Sequence, residues 1–212
     1  IDINSSINTD IMNFLSIDCS IEIGSLFVKT KNKTFLEVLQ IDKFNNDSLM
    51  KHILYFFKKN NLKFENLSEI FVNQGPGNFS GLRSSLAIAK GISLSNNVTL
   101  FGYDTFLLCC SKYLNKKDEI YGIIKFRKKY FIKKFDTNLK SSVKIKEISE
   151  DELIAKYAQK FLVAPKNLIE YFDQRILKLS NLNFVDLDHN DLEFLKQKGL
   201  LDQKLIKPLY LS

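Results

Sequence analysis

QGPGNFSGLRSSLAIAKGIS, residues 74–93, packs three glycines and a proline into its first eight positions and then changes to a helical pattern. Ser68–Asn73 just before it reads as a short buried strand, and about Gly81 to Ser95 as a helix. Gly75, Gly77 and Gly81 permit positive φ and close backbone approach, while Pro76 stiffens the turn. A strand, a glycine turn and a helix in that order point to an α/β protein. The loop leaves amide groups at a helix N-terminus, a generic anion site, and Ser80 is the expected cap of that helix.

The specific phosphate and nucleophile templates fail on residue identity. A P-loop needs Lys and Ser/Thr directly after its last glycine, where this chain has Leu82 and Arg83 after Gly81. A dinucleotide fingerprint begun at Gly75 needs a third glycine where Ser80 stands. In Gly77-Asn78-Phe79-Ser80-Gly81 the serine is displaced by one from a nucleophile elbow, and no histidine lies nearby to act as a base. The helix carries one apolar stripe of Leu82, Leu86 and Ala89 and a second of Ile88 and Ile92, with Ser84, Ser85, Ala87, Gly91 and Ser93 keeping the rest small. A helix apolar on more than one side is covered on more than one side, either by its own domain or by a partner.

Outward from this stretch, strands are expected at Phe14–Asp18, Gly24–Lys29 and Thr34–Gln40. A helix capped by Asn46 or Asp47 then runs to about Lys59 with a stripe of Leu49, Met50, Ile53, Leu54 and Phe57, widened by Tyr55 and Phe56. After the glycine helix come a strand at Val98–Gly102 and a helix from Asp104 or Thr105 to Tyr113. The grammar then repeats: a hairpin of Glu119–Phe126 and Lys129–Asp136, a strand at Lys144–Ile148, a helix at Glu150–Ala158, a strand at Phe161–Ala164, and short helices near 167–178 and 189–198. Residues 1–11 are polar and unpatterned and read as an extension or a cloning remnant, with Met12 as the natural start. The expected organisation is therefore 1–11, a first half over 12–113 and a reduced second half over 114–212.

The 212 residues are 45% hydrophobic and 26% charged, which suits a folded core. No apolar run is long enough for a membrane span. Three cysteines (Cys19, Cys109, Cys110) without CxxC spacing argue for reduced thiols in the cytoplasm, not for a disulfide framework or a zinc site. The net charge of +7 is concentrated: 112–146 holds twelve basic residues against three acidic ones, so this window carries +9 and the remainder −2. Lys125, Arg127, Lys129 and Lys133 alternate as one strand face would, with Tyr130 and Phe131 interleaved, a pattern suited to RNA phosphate contact or to a plain solvated face.

GPGNFSGLRSSLAIAKG resembles the GPGSFTGLRxGxxxAKG signature of the TsaB (YeaZ) family, the non-catalytic paralogue in the bacterial machinery for threonylcarbamoyladenosine on tRNA. FLSIDCSIEIGSLFV (14–28) resembles that family's opening hairpin, and KPLYLS (207–212) its terminal PxYLR. The resemblance covers 12–212 and is strongest to about residue 110. It implies an actin-like ATPase, RNase H-like duplicated fold. It also implies dimerisation helices, here about 47–59 and 81–95, that pack on a catalytic threonylcarbamoyl transferase paralogue (TsaD-like), or on themselves as a homodimer when the chain is alone. The interface residues expected are Leu49, Ile53, Phe56 and Phe57 with Leu82, Ser85, Leu86, Ala89 and Lys90. The signature loop is Gly75, Pro76, Gly77, Ser80, Gly81 and Arg83. An ATPase subunit (TsaE-like) and tRNA follow as further partners, with Lys125, Arg127, Lys128, Lys129 and Lys133 as the tRNA candidates. No cofactor, membrane or catalytic residue is implied.

The sequence departs from the family at Lys125-Phe126-Arg127, where an acidic position is lost, and at Val163-Ala164-Pro165, where a glycine turn is missing. His52 is followed four residues on by Phe56, not by the second histidine of an HxxxH metal pair, and His189 stands apart. Both histidines are expected on solvent-facing helix surfaces, and Asp18 as a buried, turn-capping carboxylate. The alternatives are an independent actin-fold enzyme (a metallopeptidase or an ATP-dependent transferase) and a homodimeric RNA-binding module.

Overall fold

A computed structural model describes residues 12–21, 23–40, 48–141, 144–204 and 206–210; the stretch 1–11, the expected cap at Asn46 or Asp47 and the last two residues of the terminal match lie outside these. The chain divides into two compact units. One runs to Gly102 and takes in Gln203–Tyr210, and the other spans Tyr103–Asp202.

In the first unit β1 (Met12–Asp18) pairs antiparallel with β2 (Ile23–Thr30), which pairs antiparallel with β3 (Thr34–Gln40). Beyond β1 lie β4 (Leu67–Asn73), parallel to it, and β5 (Thr99–Tyr103), giving the order β3-β2-β1-β4-β5. Alternation along each strand assigns the faces. Leu15, Ile17, Leu26, Val28, Ile70 and Val72 share a core with Leu49, Ile53, Phe56 and Phe57 of α1 (Ser48–Lys59) and with Leu86, Ala89 and Ile92 of α2 (Phe79–Asn96). Each of the Leu, Ile, Val and Phe side chains contributes roughly 1.5–3 kcal/mol when fully buried, so both helices are held to one side of the sheet. On the other side Phe14 meets Phe71 edge-on at 4.8 Å between ring centroids.

The second unit repeats the order. Its sheet runs β10-β9-β6-β7-β8, with β6 (Glu119–Phe126), β7 (Lys129–Asp136), β8 (Lys146–Ile148), β9 (Leu162–Pro165) and β10 (Leu182–Val185) in the places of β1, β2, β3, β4 and β5. Two copies of one strand order make this a duplicated α/β fold of the RNase H-like, actin-like kind. The reduction expected in the second half lies in its helices. All five strands are present, including β10, which the sequence reading did not expect, whereas α5 (Gln174–Leu177) stands between β9 and β10 where α2 has 18 residues. Helix α3 (Thr105–Cys110), grouped with the first half on sequence, packs on β6 and β9 of the second unit; Asp104 caps it by accepting from the Leu107 N–H at 2.8 Å. Helices α4 (Glu150–Tyr157) and α6 (Asp191–Gln197) complete the unit. Among the described residues no helix is long and apolar enough to cross a membrane.

Candidate partner-docking face

The glycine loop is closed by its own chain. Gly75 sits at φ +108°, where only glycine is unstrained, and its N–H donates to Asn73 Oδ1 at 2.8 Å. Asn73 Nδ2 donates in turn to Asp18 Oδ2 at 2.8 Å, while Asp18 Oδ1 accepts from the Ser20 N–H and Oγ at 2.9 and 2.7 Å. Asp18 is thus the buried turn carboxylate expected. The Asn78 N–H donates to the Ser20 carbonyl at 2.6 Å, and a Cβ on Gly77 would overlap that same carbonyl. The cap of α2 is Asn78, which accepts from the Ser80 N–H at 3.1 Å; Ser80, the expected cap, is instead exposed on the first turn of the helix. With the Gly75, Asn78 and Ser80 amides each given an internal acceptor, the loop's work is to launch α2.

The two helices do lie together on one core, but most of the residues expected at an interface face inward. Leu49, Ile53, Phe56 and Phe57 of α1 and Leu82, Ser85, Leu86 and Ala89 of α2 are all buried; Lys90 alone of the nine is exposed. The stripe expected at the interface is the one that meets the sheet; of the two residues that widen it on α1, Phe56 is buried and Tyr55 is exposed. Outward the chain shows a different set: on α1 Leu54 and Tyr55, 49% and 60% exposed, between Lys51 and Lys58; on α2 Ala87, Gly91 and Leu94, the last 83% exposed, with Ser84 and Ile88 half-buried beside them. These residues recur at i, i+3, i+4 and i+7, a spacing that marks a second helical face once the first is known to be covered. At the start of α2, Phe79 contacts both the Arg83 guanidinium and the Tyr210 ring, each 5.0 Å from its centroid.

The basic segment is mostly neutralised within the second unit. The ladder pairs Lys125 with Tyr130, so Lys125 lies on the opposite sheet face from Lys129 and Lys133, and Arg127 sits in the hairpin turn at φ +57°. One common strand face, as expected, is therefore not formed: the chain reverses between these residues. Lys125 pairs with Asp173 at 2.6 Å, Lys133 with Asp104 at 2.6 Å, and Lys129 with Glu147 at 2.9 Å. The Lys125 ammonium and the Tyr130 hydroxyl hold the Asp173 carboxyl below its usual range, while burial pushes the Tyr130 phenol up. A cleft of about 660 Å³ beside them is lined by three lysines (125, 128, 129) and four acids (Glu147, Glu150, Glu152, Asp173), a balance that does not favour an anion. Of the five candidate cations, Arg127 and Lys128 make no ion pair among the described residues.

His52 is half-buried on α1, but His189 is not the exposed helix residue expected. It is buried in the turn before α6, 6.4 Å edge-on from the Tyr103 ring. Among the described residues no three His, Cys, Asp or Glu side chains are grouped to hold a metal. Cys19, Cys109 and Cys110 are all buried, and burial pushes the Cys19 and Cys110 thiols up, away from reactivity.

Residues 43–118 match the family model for TsaD, tRNA N6-adenosine threonylcarbamoyltransferase. The chain is 31% identical over 119 residues to the tRNA threonylcarbamoyladenosine biosynthesis protein TsaB of Buchnera aphidicola subsp. Baizongia pistaciae, covering 54% of this chain and 53% of that one. To the TsaB of Buchnera aphidicola subsp. Acyrthosiphon pisum it is 25% identical over 148 residues, covering 68% and 66%. The first match thus spans about half the relative's length. In structure the chain is similar to YeaZ from Pseudomonas aeruginosa, with a TM-score of 0.67 at 13% identity over 93% of this chain and 99% of that one, a likeness of fold alone.

Proposed function

The chain belongs to the TsaB (YeaZ) family, and on that premise we propose that it is a non-catalytic subunit required for threonylcarbamoyl transfer to an adenosine of tRNA. It docks on the catalytic paralogue through the outward faces of α1 and α2 and helps to gather an ATPase subunit and tRNA around it in the cytoplasm. One observation carries this reading: two helices seated on one core turn Leu54, Tyr55 and Leu94 to solvent. Covering large apolar side chains of this kind is favourable at roughly 25 cal/mol per Å², and small residues such as Ala87 and Gly91 let another helix approach. The spent carboxylate at Asp18 and the inert thiols support a binding role over catalysis by this chain. For the five cations expected at tRNA, the absence of an ion pair among the described residues favours Arg127 and Lys128 as the proposed contacts.

Co-purification with the catalytic paralogue tests the docking face. Leu94→Glu and Tyr55→Glu, both at exposed positions, are expected to leave the circular dichroism spectrum intact and to abolish the complex. A complex that survives both variants places the docking surface elsewhere.

A further inference from the structure

Phe79, on the first turn of α2, and Tyr210, near the end of the chain, hold their rings together in the open. They are 52% and 51% exposed, with centroids 5.0 Å apart and planes tilted by 30°. The exposed Arg83 guanidinium, one turn along α2, lies 5.0 Å from the Phe79 centroid. All three belong to the first unit. The ring pairs Phe14–Phe71 and Tyr130–Phe172, by contrast, are buried. Phe79 and Arg83 belong to the glycine signature and Tyr210 to the terminal match, so the two stretches of family resemblance meet here.

The backbone under both rings is fixed from inside. Asn78, which precedes Phe79, caps α2 and donates its N–H to the Ser20 carbonyl at 2.6 Å. Leu209, which precedes Tyr210, donates its N–H to the Gln74 carbonyl at 2.7 Å, and a Cβ on Gly75 would come within 3.1 Å of the Leu209 carbonyl. A half-exposed ring returns little of the burial that holds a core together, so core stability does not account for rings held open on so rigid a base. What suits the trio is a flat π system with a negative charge attached, the ring faces taking the first and the guanidinium the second. An unpaired RNA residue offers both, whereas a base inside a duplex already has its faces stacked. An apolar side chain of another protein would cover the rings but strip the guanidinium of water with no acceptor in exchange. We propose that Phe79, Tyr210 and Arg83 form a stacking site for an unpaired RNA base and its phosphate, without readout of sequence. The site uses neither the outward residues Leu54, Tyr55 and Leu94 nor Arg127 and Lys128, so its failure would leave the docking reading standing.

The test uses the full chain and a short single-stranded oligoribonucleotide carrying one iodouridine, a base that joins photochemically to an aromatic ring stacked on it. Irradiation is expected to join it to Tyr210 or Phe79, located by mass spectrometry of the digested chain. Tyr210→Leu and Phe79→Leu, both at exposed positions and shown folded by circular dichroism, should each weaken binding about tenfold, and Tyr210→Phe by no more than about twofold. Arg83→Gln should lower the affinity and flatten its fall with salt. Crosslinks confined to other residues, or an affinity unchanged in both leucine variants, overturn the proposal. So does a duplex of the same sequence that binds as tightly, which would mean phosphate contact alone, and so does AMP binding as tightly as the oligonucleotide, which would make this a free-nucleotide site. Leucine variants that keep the RNA and lose the catalytic paralogue would give the rings to the protein interface instead.

Discussion

The Leu209 N–H donates to the Gln74 carbonyl at 2.7 Å, and the Gln74 side-chain amide donates back to the Lys207 carbonyl at 3.0 Å. Residues 133 apart in sequence are thereby laced together, and the tail seals the loop that launches α2. Gly102 makes room for this, since a Cβ there would run into the Gln74 amide. Gly102→Ala is expected to push Gln74 off the tail and to destabilise the first unit by about 1–3 kcal/mol. Denaturant unfolding measures it, and Gln74→Leu should show a loss of similar size from the same broken contacts.

Two glycines of the signature should respond in opposite directions. Gly77→Ala drives a methyl into the Ser20 carbonyl, a rigid backbone group, and is expected to cost about 3 kcal/mol or more. A Cβ on Gly91 meets nothing within 4 Å, so Gly91→Ala should stabilise α2 by up to about 1 kcal/mol. Thermal melts of the two variants beside wild type check the pair.

Asp18 makes a third case, since its two oxygens serve Ser20 and Asn73 within the core. Asp18→Ala leaves those donors unmatched and is expected to lower stability by about 2 kcal/mol. Unfolding of the isolated variant, with no nucleotide present, should show the full loss. If the loss appears only with a nucleotide present, Asp18 is a binding group.

The lowered Asp173 carboxyl makes a pH prediction. Because its folded pKa lies below the unfolded one, its contribution is present above the usual carboxylate range, near about 4, and is lost as pH falls through the lower folded value. Asp173→Asn should therefore be less stable than wild type at neutral pH, by on the order of 1 kcal/mol or less for so exposed an ion pair. The gap should close in acid, and urea unfolding at several pH values reads it.

What could be read from the sequence followed from period and turn chemistry. The β6–β7 hairpin appears at its expected bounds because two runs rich in Ile, Tyr and Phe are separated by the polar turn at Arg127–Lys128. Strand β10 escaped notice because Leu182–Val185 is four residues long, all of them half-buried, without clean alternation. The amphipathic stripe of α1 was visible, yet no local pattern says which side the sheet lies on. The pattern alone therefore leaves Phe56 and Tyr55 equivalent, whereas Phe56 is 2% exposed and its neighbour Tyr55 is the outward one. Lysine partners were also hidden, because Asp104 and Asp173 lie far from Lys133 and Lys125 along the chain.

Thiol labelling tests the docking face most directly, because all three native cysteines are buried and a cysteine placed at Leu94 stands alone on the surface. Maleimide modification of the Leu94→Cys variant should be rapid for the free chain and at least about tenfold slower once the catalytic paralogue is bound, as expected when a contact excludes solvent. An undiminished rate in a complex that sedimentation shows to be formed would contradict the account.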